Sequence, residues 1–128
     1  MIVSGGCHCG RVSFTVDIGD RVVVQRCNCS MCDMLGFLHL IVPAERFALL
    51  EGSDCLVTYR FNSGVAQHLF CSVCGVKSFY VPRSNPDGFS INLRCLELPE
   101  TIAVHEEAFD GQHWEISAAS LRHLTRSD

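Results

Sequence analysis

The sequence predicts an all-β domain stapled by metal ions, on three observations. Short runs that alternate apolar with polar residues, or are rich in β-branched ones, recur along the chain with turn signals between them. Seven of the nine cysteines fall into three tight groups: Cys7-His8-Cys9, Cys27-Asn28-Cys29-Ser30-Met31-Cys32 and Cys71-Ser72-Val73-Cys74. Strand-like runs lead directly into those groups, so strand followed by cysteine knuckle is the repeating theme.

Taken in order, Arg11 to Val16 alternates with period two, and Arg21 to Arg26 is a β-branched run ending at the second cysteine group. Phe37 to Val42 reads as a buried strand stopped by Pro43, which then stands at the first position of one short helical turn through Phe47. Leu56 to Asn62 and Val65 to Cys71 flank Ser63-Gly64, a hairpin signal closed by the third cysteine pair. Lys77 to Val81 is a strand, Ser84 to Gly88 a turn, Phe89 to Leu93 a strand, and Thr101 to His105 a last strand before the turn at Asp110-Gly111. The tail from Trp114 to Leu124 is expected to be helical.

Length and charge bound the rest. At 128 residues and 48% hydrophobic, residues 1–128 are expected to form one domain whose core is helped by metal cross-links. The net charge of −4 and the single lysine, Lys77, give no electrostatic footprint for nucleic acid. The arginines stand singly, which suits a small anionic ligand better than a polyanion. No apolar stretch approaches the roughly 20 residues of a membrane span, and the first residues do not read as a signal peptide. Clustered cysteines without a secretory signal point to metal binding in a reducing, cytoplasmic location rather than to disulfides.

Zinc is the expected metal, because thiolates one or two residues apart can turn toward one ion and sulfur is its usual soft partner. Cys7 and Cys9 lie among Gly5, Gly6 and Gly10, and Cys71-x-x-Cys74 is followed by Gly75; these glycines let the backbone turn behind the sulfurs, with His8 pointing away. Joined, the two pairs make a closed tetrathiolate that pins the N-terminus to the hairpin. Cys27, Cys29 and Cys32 supply three thiolates and no local fourth ligand, as an open site would.

The same residues carry a resemblance. Gly5-Gly6-Cys7-His8-Cys9-Gly10-Arg11-Val12-Ser13-Phe14, Cys27-Asn28-Cys29-Ser30-Met31-Cys32 and Phe70-Cys71-Ser72-Val73-Cys74-Gly75 resemble the glutathione-dependent formaldehyde-activating enzyme family. Ala66 to Cys71, Val76 to Tyr80, Pro82 to Pro86 and Phe109 to Glu115 look like its centromere protein V-like subgroup. Two departures from the broad family stand out: Asp33-Met34 where a basic residue is common, and Val76 where a small hydroxyl residue is. The resemblance implies an Mss4-like fold of coiled antiparallel sheets holding two zinc ions. One is structural, on Cys7, Cys9, Cys71 and Cys74; the other is catalytic, on Cys27, Cys29 and Cys32. It also implies a carbon-sulfur lyase or synthase that joins glutathione to formaldehyde as S-hydroxymethylglutathione.

Around the open site, Arg26 and His39 are candidate neighbours, although His39 within an apolar strand reads first as a core or surface histidine and Arg26 as a strand-end charge. Arg26, Arg60 and Arg94 are the candidate anion-binding donors. Cys55 reads as a small core residue, whereas Cys95, preceded by Arg94, is a candidate low-pKa thiol or a fourth ligand for the second zinc. Two other function classes compete with the enzyme. One is a zinc-stabilised binding module that would use Trp114 and Phe109 as a partner surface; the other is a redox protein using Cys95.

Overall fold

The computed structural model describes residues 1–61 and 63–125, apart from the side chains of residues 115 and 116. Its strands are β1 (Ile2–Gly6), β2 (Ser13–Asp17), β3 (Arg21–Cys27), β4 (Leu38–Pro43), β5 (Phe47–Glu51), β6 (Leu56–Tyr59), β7 (His68–Cys71), β8 (Phe79–Tyr80), β9 (Gly88–Asn92) and β10 (Ala103–Phe109). Helix α1 covers Ser30–Leu35, and α2, Trp114–Ser117, continues as a 3-10 helix over Ala118–Thr125. The expected all-β fold with a helical tail is what forms. Among the described residues three sheets form, ordered β1-β2-β5, β10-β3-β4-β9-β8 and β6-β7.

The period-two segments form strands because alternation lets one face bury. In β2, Phe14 and Val16 are fully buried between more exposed neighbours. Phe14 anchors an aromatic cluster, its ring centroid 5.2 Å from that of Phe47 and 5.6 Å from that of Phe79. Strand β4 is buried on both faces, as its mostly apolar run suggested. Leu40 and Val42 join the main core, while Ile41 joins a second cluster with Phe109 and Leu121 of the tail. His39 lies on the Ile41 face, and Gln25 of β3 is its register partner.

Two arrangements place the site. The β6–β7 hairpin pairs Leu56 with Cys71, setting the third cysteine group at its base; Asn62, expected to end its first arm, lies outside the described residues. Strand β10 adds to β3 in parallel, against the otherwise antiparallel pairing, with Phe109 opposite Cys27. That register carries the segment after β10 onto the second cysteine group. Pro43 ends β4 and a 3-10 turn follows at Ala44–Arg46, as its fixed φ and missing N–H dictate.

Candidate metal centres

The sulfurs of Cys7, Cys9, Cys71 and Cys74 all lie within 4.8 Å of one another. Cys9 Sγ is 3.6 Å from Cys7 Sγ and 3.7 Å from Cys71 Sγ. Thiolates around one ion at ~2.3 Å stand ~3.8 Å apart at the corners of a tetrahedron, whereas a disulfide needs ~2.05 Å. The group thus fits a four-coordinate ion and not a pair of disulfides. Gly10 and Gly75, at φ +82° and +78°, turn the chain behind each pair. Backbone N–H groups of Val12 and Val73 donate to Cys7 and Cys71 Sγ, each at 3.4 Å, and His8 is exposed. Cys74 is drawn down to about 6, first by the Cys9 backbone N–H and then by that of Val76.

Cys27, Cys29 and Cys32 form a second group with their sulfurs within the same 4.8 Å. Cys27 ends β3, Cys29 is the N-cap of α1, and Cys32 lies in its first turn. The Cys29 sulfur accepts from Cys32 N at 3.4 Å, as an N-cap hydroxyl would, and Cys27 Sγ accepts from Cys29 N at 3.4 Å. Without a cation, three crowded sulfurs cannot all ionise. Cys29 is held near the thiolate, at about 2, chiefly by hydrogen bonds from the Cys27 and Cys32 thiols. The thiols of Cys27 and Cys32 are pushed up in turn. Among the described residues no other histidine, cysteine or carboxylate joins this group. Three soft donors and no fourth fit a metal ion that keeps a position open.

The segment after β10 clasps this loop. Asn28, between the first two cysteines, donates from Nδ2 to Asp110 Oδ1 at 3.0 Å and accepts at Oδ1 from Gln112 N at 3.0 Å. His113 Nδ1 is 2.7 Å from Asp110 Oδ2, and these two partners, Asn28 first, hold the Asp110 carboxyl below its usual range. Gly111 passes so close that a Cβ there would meet Cys27 Sγ and stand 2.8 Å from Cys29 Cβ.

The three cysteines line a cavity of about 170 Å³ shared with His39, Ile41, His68, Tyr80, Arg83, Phe109 and Trp114. His39 Nδ1 meets Ser90 Oγ at 2.9 Å and Tyr80 OH at 3.1 Å. Its Nε2 and the facing Gln25 Oε1 are buried without partners among the described residues. Burial first, then Lys77, lowers His39 to about 3, so the ring is neutral. The reading of His39 as a satisfied core histidine is therefore half right: it is buried, but it walls the cavity and one nitrogen is unsatisfied.

Other candidates are displaced. Arg26 pairs with Glu106 at 3.3 Å, Arg60 donates to Gly64 O at 3.1 Å, and Arg94 is exposed; none lines the cavity. Among the described residues the arginine that does is Arg83, its guanidinium 3.7 Å from the centre of the Trp114 ring. Phe109 and Trp114 thus help wall a cavity rather than form an outer surface. Cys95 sits beside the tetrathiolate instead of the open group, because Leu96 bridges to Gly5, just before Cys7. Burial, then Cys7 and Cys74, pushes its thiol up to about 11, opposite to the lowering expected from Arg94. Cys55 packs against the main core, as expected. Sequence reasoning passed over Gln25, Asn28, His68, Tyr80 and Gly111; only the Asn inside the cysteine loop gave a local signal.

A solved crystal structure of a Rhodobacter sphaeroides protein shares 29% identity with this chain, covering 80% of it and 97% of that chain at a TM-score of 0.68. A sequence model described as "Glutathione-dependent formaldehyde-activating enzyme" matches residues 2–112, a span that includes all seven clustered cysteines. The chain therefore belongs to the glutathione-dependent formaldehyde-activating enzyme family.

Proposed function

We propose that this protein is a zinc-dependent carbon-sulfur lyase that joins a small thiol to an aldehyde and cleaves the adduct in reverse. Glutathione and formaldehyde are the pair named in the family's description. The observation that carries the reading is the three-sulfur group, without a fourth His, Cys or carboxylate donor among the described residues, opening on a largely apolar cavity. Zinc at Cys7, Cys9, Cys71 and Cys74 is structural. Cys27, Cys29 and Cys32 would hold the second zinc, which would supply a soft Lewis-acid position suited to the substrate's sulfur as thiolate.

In the forward direction the thiol sulfur gives up its proton and bonds to the aldehyde carbon. The C=O double bond becomes C–O, and the oxygen ends with the proton, giving R–S–CH2–OH from formaldehyde. The chain's part is to hold the sulfur and exclude water: Ile41, Phe109 and Trp114 dry the wall, and the clasp through Asn28 and Asp110 fixes the cysteine loop. Arg83 at the cavity wall suits a carboxylate of a thiol such as glutathione. The resemblance of Pro82 to Pro86 and Phe109 to Glu115 to the centromere protein V-like subgroup is what supports placing the chain there, and residues of both segments line this cavity. Nine cysteines, none of them in a disulfide, suit a reducing, cytoplasmic setting.

Calorimetric titration of zinc-loaded protein with glutathione tests the reading, followed by adduct formation measured above the unaided rate. Binding that disappears in Cys29→Ser, with the first zinc retained, is expected. Absence of thiol binding by the wild type removes the enzyme reading and leaves the binding module.

A further inference from the structure

The chain's one lysine is not on the surface. Lys77 is only 7% exposed, with Nζ 2.7 Å from His68 Nδ1 and 3.8 Å from the centre of the Tyr80 ring. Among the described residues no carboxylate pairs with it. A methionine would fill much the same space without a buried charge, so the ammonium is retained at a cost in stability.

An ammonium has three donors and no acceptor, so the short bond runs from Lys77 to His68 Nδ1. A neutral imidazole that accepts at Nδ1 carries its proton on Nε2. The ring is clamped in place, stacked at 4.9 Å and 14° on Tyr80 and at 5.2 Å and 24° on Phe61. His68 also lines the cavity that holds Cys27, Cys29 and Cys32. Burial, then Lys77, lowers His68 to about 4, which keeps the ring neutral. Burial lowers Lys77 while Cys32 and then Cys29 raise it, which leaves it at about 8, an ammonium at neutral pH.

We propose that His68 donates its Nε2–H to the oxygen of the thiol–aldehyde adduct in the cavity, and that Lys77 is the positioning residue that locks this tautomer. The role rests on the function proposed above. As the sulfur–carbon bond forms, charge moves to the former carbonyl oxygen, and a donor fixed in place in a largely apolar cavity strengthens toward that charge. His68 gives up no proton; the oxygen's proton is the one the thiol released.

Zinc-loaded protein with 15N-labelled histidine tests this by long-range 1H–15N correlation. Wild-type His68 is expected as the Nε2–H form, its resonance unmoved by glutathione alone and shifted when formaldehyde is added. Lys77→Met is expected to populate the Nδ1–H form and to lower kcat on the order of 10²-fold with little change in KM for the thiol. Lys77→Arg, which keeps a donor, should restore part of the rate. Wild-type His68 in the Nδ1–H form overturns the donor role alone, and a folded, zinc-loaded Lys77→Met with unchanged kcat overturns the positioning role of Lys77. Wild-type His68 in the Nε2–H form that answers to no thiol or aldehyde overturns the functional reading and this role with it.

Discussion

In Gly111→Ala the new Cβ would stand 2.8 Å from Cys29 Cβ and 3.1 Å from Cys29 N, and closer still to Cys27 Sγ. Gly111 cannot retreat, because its neighbours are tied down: Asp110 by Asn28 and His113, and Gln112 by its own N–H on Asn28 Oδ1. The cysteine loop must give instead. Ordinary contact begins at 3.4 Å, so Cys29 Cβ has to move by about 0.6 Å and Cys27 Sγ by more, against a tolerance of ~0.2 Å in metal–ligand distances. The strain of forcing one carbon into such a space is about 1–3 kcal/mol. It falls on the three-sulfur group and leaves the tetrathiolate untouched. Metal content by inductively coupled plasma mass spectrometry is expected to drop by half, and glutathione binding to vanish, while the circular dichroism spectrum is kept. Full metal content with wild-type thiol binding would refute the close apposition of Gly111 and Cys27.

Cys74→Ser should have the opposite pattern, since the first centre joins Cys9 to Cys71, 62 positions apart. A cross-link closing a loop of that length is worth up to about 4 kcal/mol, so the urea midpoint should fall sharply; an unchanged midpoint would deny the structural role. His39 predicts acid sensitivity. Its pKa is lowered to about 3 in the fold against about 6.5 unfolded, so its contribution is complete above pH 6.5 and is lost as pH falls, by about 2 kcal/mol at pH 5. His39→Asn should flatten that part of the urea-unfolding profile in protein whose zinc content is checked at each pH; an unchanged slope counts against a buried neutral His39. Cys95→Ser should keep both metals, thiol binding and turnover, because the wild-type thiol is pushed up to about 11 and lies away from the cavity. Lost turnover would restore the redox reading.

The metal centres were legible because ligand spacing is local: Cys-x-Cys and Cys-x-x-Cys with a following glycine state their own geometry. The alternating run appeared as β2 and the mostly apolar run as β4, both where expected. β1 was missed because Gly5 and Gly6 read as turn residues. In the fold Gly5 is a packing residue, since a Cβ there would stand 2.7 Å from Phe14 and 2.8 Å from Leu96. Helix α1 was missed because a cysteine, not a serine or aspartate, is its N-cap. The parallel β10–β3 pair joins segments 82 residues apart at Phe109 and Cys27, a register that no short-range pattern encodes.

The cavity wall was illegible for the same reason, except for one trace in composition. Nine arginines and one lysine is a lopsided division of cations. The described arginines are exposed, or half-buried at Arg83, while the lysine is buried. The two cations are not interchangeable in these places. A guanidinium is planar, keeps its charge at any working pH and presents five donors that each want a partner. The space over Tyr80 offers an ammonium 3.8 Å from the ring centre, one imidazole nitrogen at 2.7 Å and no carboxylate. A compact point charge meets those contacts with a single strong hydrogen bond. Lys77→Arg is accordingly the substitution to separate charge from shape: it keeps the donor to His68, so whatever activity it retains measures the tautomer, and whatever stability it loses measures the fit.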